Sequence, residues 1–129
     1  MRGINLVIVG GNLGEDPTLR YTSGGQAVVS LSLAINEKWK GGDGEDKERT
    51  TWIRVTVFGK QAEACFEHLK KGSSVLVQGR LVENKWQDQS GAQRSRIDIM
   101  ANRVDFLTMS AKTKDDESPP FSYEDEVPF

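Results

Sequence analysis

Thr51-Trp52-Ile53-Arg54-Val55-Thr56-Val57-Phe58 alternates in character from residue to residue. Side chains on a β-strand point alternately to opposite faces, so the run separates into two rows. Ile53, Val55 and Val57 are β-branched and apolar, and suit the core of a barrel or sandwich. Trp52, Arg54, Thr56 and Phe58 make the other row, two aromatics with a cation between them. If the first row is the core, the second faces outward. An outward Trp and Phe around an Arg suit a flat, negatively charged ligand: bases offer planar faces and phosphates offer charge. The competing reading buries both faces, with Trp52 and Phe58 in a second packed layer or a subunit interface.

The same alternation extends to either side. Val29, Leu31, Leu33 and Ile35 form a core row, while Ser30, Ser32 and Ala34 form a smooth face that a ligand or another chain can approach closely. Ile4 to Val9 reads as a first strand ended by Gly10-Gly11-Asn12-Leu13-Gly14, and Thr18 to Tyr21 as a short extended piece. The glycine cluster does not have G-x-G-x-x-G spacing and runs into Glu15-Asp16-Pro17, which argues against a phosphate loop and for a bulge or tight bend. Beyond Gly59, Ala62, Cys65, Phe66 and Leu69 fall at i, i+3, i+4 and i+7, one face of a helix that Gly72 can cap. Val75 to Val82 and Arg96 to Val104 complete the strands, the latter with Ile97, Ile99 and Ala101 on one face.

Two further aromatics lie among cations. Trp39 stands between Lys38 and Lys40 beside the glycine-rich loop Gly41 to Lys47, and Trp86 follows Lys85 at what reads as a hairpin tip.

The chain has 129 residues, enough for one domain with a single core, and no apolar run approaches the roughly 20 residues of a membrane span. No membrane association is expected. The N-terminal residues lack the pattern of a secretory signal, which predicts an intracellular, cytoplasmic protein. Its single cysteine rules out an intrachain disulfide. Residues 110–129 carry two lysines against six carboxylates, a net −4, leaving fifteen basic and thirteen acidic side chains, or +2, in residues 1–109. A mildly basic body with an acidic tail points toward nucleic acid or electrostatic partners.

Catalysis is not expected. Cys65 and His68 have C-x-x-H spacing but no other Cys or His could complete a metal site, and Cys65 falls on the apolar helix face. No clustered carboxylate pair suggests acid–base or two-metal work, and no cofactor or metal is implied.

The organisation therefore reads as an OB-fold domain over residues 1–109 and a disordered acidic tail over 110–129. The domain is all-β: a five-stranded Greek-key barrel with one helix between its third and fourth strands. The tail closes in Asp125-Glu126-Val127-Pro128-Phe129, acids followed by an apolar end, like a docking peptide. Sugar binders also expose Trp, but repeated pairing of aromatics with Lys or Arg favours phosphates.

Five segments carry a family resemblance: Val9 to Pro17, Trp52 to Lys60, Leu69 to Ser73, Lys85 to Gly91, and Asp125 to Phe129. In this order, over about residues 1–107 plus the tip, the chain resembles the bacterial-type single-stranded DNA-binding proteins. The resemblance implies a homotetramer that binds single-stranded DNA without sequence preference in replication, recombination and repair. It implies stacking of bases on Trp39, Trp52, Phe58 and Trp86, with Arg20, Arg54, Lys60, Lys71 and Lys85 at basic positions. It further implies recruitment of replication, recombination and repair enzymes by Asp125, Glu126, Val127, Pro128 and Phe129. Two departures stand out. Ile53 replaces the His that the best-known members place at a subunit contact, and the segment from about Ser110 to Tyr123 is much shorter than their Gly- and Gln-rich linker. The runner-up is an OB protein of primosome type, whose main work is partner recruitment with DNA binding secondary.

Overall fold

The computed structural model describes residues 1–107, which form six strands and one helix. The order is β1 (Val7–Leu13), β2 (Thr18–Tyr21), β3 (Ala27–Lys40), β4 (Asp46–Phe58), α1 (Lys60–His68), β5 (Ser74–Gln87) and β6 (Gln93–Phe106). Five of the strands close on themselves. β1 pairs antiparallel with β5, β5 with β6, β6 in parallel with β4, β4 antiparallel with β3, and β3 returns to β1. β2 adds to the free half of β3, pairing Thr18 with Ser30 and Tyr21 with Ala27. This is the expected five-stranded barrel, with α1 between its third and fourth strands.

Closure requires one strand to serve two neighbours, and β1 does so. Residues Val7 to Asn12 lie along Gly79 to Ser74 of β5, while Asn12 and Leu13 lie against Ala34 and Leu33 of β3. The backbones pass so close that a Cβ on Gly11 would stand 2.2 Å from the Ala34 carbonyl oxygen. The matching approach on the other side is at Gly79, opposite a bulge in β6 at Asn102, where a Cβ would stand 2.2 Å from the Met100 carbonyl oxygen. The glycine pair Gly10-Gly11 thus lies inside β1 and does not end it, and at Gly11 the crossing leaves no room for a side chain.

The core is the row read from the sequence. Val29, Leu31, Leu33, Val55 and Val57 are buried, joined by Leu13, Val75, Val77, Ile99 and Val104, with Ile35 and Ile53 packed at the edge. The helix shuts one end of the barrel with Ala62 and Cys65, followed by Leu69. It is narrower than its spacing suggested. α1 stops at His68, Leu69 is already extended, and Phe66, expected on the apolar face, remains half exposed. The helix is pinned to β6 by Gln61, whose side-chain carbonyl accepts from the Val104 N–H (2.6 Å) and whose amide donates to the Asn102 carbonyl (3.3 Å).

Beyond the barrel the strands continue as two ribbons. β3 and β4 stay paired out to Lys40 and Asp46, and β5 and β6 out to Gln87 and Gln93.

Candidate nucleic-acid interface

Register assigns the outward face of the barrel residue by residue. One rung runs Thr18, Ser30, Thr56, Met100 and Arg80 across β2, β3, β4, β6 and β5. Beside it Arg20, Val28 and Phe58 form a second rung; Ser32 opposite Arg54 and Ala34 opposite Trp52 continue the surface along the β3–β4 pair. Small hydroxyl residues make a low floor, and the long side chains stand at its margins.

Two contiguous grooves occupy this floor. One, of about 300 Å³, is bordered by Arg20, Arg54, Phe58, Asn84, Arg96 and Asp98; the other, of about 430 Å³, lies between Trp52, Arg54, Arg96 and Glu15. They share Ser30, Arg54 and Arg96. Three guanidinium groups therefore line one continuous channel with Trp52 at one side and Phe58 at the other. Trp52 is 59% exposed and Phe58 half-buried, so among the described residues no second layer covers Trp52.

The hairpin aromatics differ from this pair. Trp39 is opposite Lys47, in the register that continues the core row, so it lies on the other face of the β3–β4 ribbon from Trp52. The cation over its ring is not a sequence neighbour but Arg49, 5.4 Å from the centroid; Lys40 instead pairs with Asp46 at 2.8 Å. A separate hollow of about 480 Å³ surrounds Trp39. Trp86 shares its register row with Asn84, Arg94, Arg96 and Asp98, the last three on β6, which places it on the groove side. Again the cation over the ring is remote in sequence: Arg96, at 5.4 Å. Lys85 falls on the opposite face and approaches Glu83 at 3.9 Å. Lys60 opens α1, and Lys71 lies in the turn beyond it, its backbone N–H donating to Asp16; neither borders the grooves.

The turn that carries Trp86 is well braced. Asp88 accepts from the Ser90 hydroxyl, the Arg94 guanidinium and the Ala92 N–H, which together hold its carboxyl down near 2 against an ordinary 3.8.

The residue that the aromatic pattern did not single out is Arg96. It borders both grooves, sits over Trp86 and donates to both oxygens of Asp98. The sequence contained the sign: if Ile97, Ile99 and Ala101 face one way, Arg96, Asp98 and Met100 face the other.

A closed five-strand barrel whose open face combines aromatics with guanidinium groups agrees with the comparison to known proteins. The single-strand binding protein family model matches residues 4–107. The chain belongs to this family. Among solved structures it is similar to the Plasmodium falciparum SSB in complex with single-stranded DNA, at 28% identity and a TM-score of 0.77, covering 84% of this chain and 98% of that one. It is also similar to a deletion variant of the single-stranded DNA binding protein from Thermus aquaticus, at 34% identity and a TM-score of 0.73. That match covers 83% of this chain but 52% of the Thermus chain, so the present chain spans about half its length.

The candidate tip, Asp125 to Phe129, lies outside the described residues. Among the described residues no group of three His, Cys, Asp or Glu side chains could hold a metal, and no helix is long and apolar enough to cross a membrane.

Proposed function

We propose that this protein binds and protects single-stranded DNA without sequence preference, in replication, recombination and repair. One observation carries the reading: Trp52 and Phe58 flank a channel lined by Arg20, Arg54 and Arg96 on the open face of the barrel. Bases stack on aromatic faces whatever their identity, and guanidinium groups such as those of Arg20 and Arg54 follow the phosphates, so the combination gives affinity without base readout. Trp39 and Trp86, set on separate ribbons, extend the path beyond the barrel, and Lys60, Lys71 and Lys85 add diffuse positive potential around it. The solved Plasmodium complex with single-stranded DNA supports the same use of the fold.

The protein assembles as a homotetramer. Support comes from Ile4, Leu6 and Ile8, each more than half exposed, beside Leu76 on the β1–β5 side of the barrel, an apolar strip that a second copy would cover. Residues 1–109 are the DNA-binding domain, and residues 110–129 carry the acidic tip that recruits partner enzymes of DNA metabolism at the nucleoid.

The test is Trp fluorescence during titration with oligo-dT at two salt concentrations, with Trp52→Ala and Phe58→Ala in parallel. Strong quenching that saturates, and is weakened by either substitution and by salt, is the expected result. No quenching by the wild-type protein at low salt would make the aromatic row a buried interface instead.

A further inference from the structure

Arg96 looks like a third phosphate contact beside Arg20 and Arg54, but its surroundings give it a different part. Asp98 is 3% exposed, and both of its oxygens are occupied: Arg96 Nε donates to Oδ1 at 2.8 Å, while Arg96 Nη2 at 3.1 Å and Asn84 Nδ2 at 2.6 Å donate to Oδ2. The guanidinium is thus held by two parallel bonds to a carboxylate that water does not reach. Releasing it toward a phosphate would leave that carboxylate buried with only Asn84 as partner, so the pair stays closed. Its positive charge is compensated within the protein.

What remains available is the guanidinium surface. The group lies 5.4 Å from the Trp86 ring centroid and borders both grooves, while its side chain is 43% exposed. A planar, weakly hydrated guanidinium can stack on a base much as an aromatic ring can. Resting on the proposal that the channel takes single-stranded DNA, we propose that Arg96 is a base-stacking surface, that Asp98 is the positioning residue that fixes its plane, and that the base track passes from the central strand to Trp86 across it. Arg54, which no carboxylate pairs with among the described residues, is with Arg20 a phosphate contact of the channel.

The distinction is readable in salt dependence, because each phosphate contact to a single strand contributes about 0.7 to the slope of log K against log salt. Oligo-dT is titrated across a salt series with the wild type, Arg96→Ala, Arg96→Lys, Arg54→Ala and Asp98→Asn, each checked by circular dichroism. Arg96→Ala should weaken binding about five- to tenfold with the slope unchanged, and Arg96→Lys should not restore affinity, since it keeps the charge and loses the plane. Arg54→Ala should lower the slope by about 0.7. Asp98→Asn, which removes the compensating charge, should raise the slope by about the same amount. A fall in slope for Arg96→Ala, or rescue by lysine, would show a phosphate contact and overturn the proposal. Unchanged affinity in Arg96→Ala would overturn it too, as would an unchanged slope in a folded Asp98→Asn. If Asp98→Asn does not fold, the two Arg96 variants decide alone. A wild type that never binds oligo-dT defeats the DNA-binding reading itself, whereas a wild type that binds as Arg96→Ala does defeats this inference only.

Discussion

The indole of Trp52 lies across Gly14, so close that a Cβ on Gly14 would stand 2.4 Å from one ring carbon and 2.7 Å from the next. Gly14 thus belongs to the candidate interface although it has no side chain. Its own N–H donates to the Ser32 carbonyl at 2.9 Å, tying the loop after β1 to the strand beside Trp52. Gly14→Ala should push the ring off this seat while leaving the fold intact, because the clash is with the far end of an exposed side chain. The expected outcome is a change in thermal midpoint of only a few degrees, with oligo-dT affinity reduced about five- to tenfold. Equal affinity would show that the seat does not matter to the ring's use.

Gly11→Ala and Gly79→Ala should behave in the opposite way. Each new methyl meets a backbone carbonyl at 2.2 Å, and backbone at a barrel crossing cannot swing aside. A loss of about 2–4 kcal/mol is expected for each, lowering the thermal midpoint on the order of 10 °C. Urea melts of the two variants provide the check.

Burial pushes the Cys65 thiol up from 9.0 to about 11. Because the folded state holds the proton longer than the unfolded one, the contribution to stability is complete below about pH 9 and disappears as pH rises toward about 11. The expected loss is up to about 2 kcal/mol over that interval, absent in Cys65→Ala once that variant's own cavity cost is subtracted. Denaturant melts at pH values spanning the interval measure it, and slow thiol labelling of the native protein should accompany it.

Asp88 shifts in the other direction, its carboxyl held near 2 first by the Ser90 hydroxyl and then by Arg94. Its bracing of the hairpin turn is present above about pH 4 and is lost as pH falls through about 2. Trp86, two residues away, should report the loosening as a fluorescence change in that acid range. Asp88→Ala should show the loosened signal already at neutral pH.

Much of this architecture was legible because it depends on local alternation. Val29 to Ile35 and Ile53 to Val57 declare their inner rows directly, and the outer row with Trp52, Arg54 and Phe58 follows by subtraction. Other features depend on pairing that no local pattern encodes. β6 lies parallel to β4, which brings Arg96 to the channel from more than forty residues away in sequence. Adjacency in sequence also misled at the ribbons. Lys85 precedes Trp86 but must face the other way on a strand, and the cations that reach the two rings, Arg49 and Arg96, come from the partner strands. Phe66 missed the core because α1 buries only a narrow stripe, Ala62 and Cys65, before the chain turns extended at Leu69.

The join between β4 and β6 has only two register pairs, Val55 with Ile99 and Thr56 with Met100, where the other long strands are matched over many residues. The channel between Arg54 and Arg96 crosses this join. A polymer lying there would act as a suture across one of the two narrow seams of the barrel, the other being the β1–β3 crossing. The protein would then resist forced opening least when empty, and each bound strand would mechanically reinforce the wall that holds it.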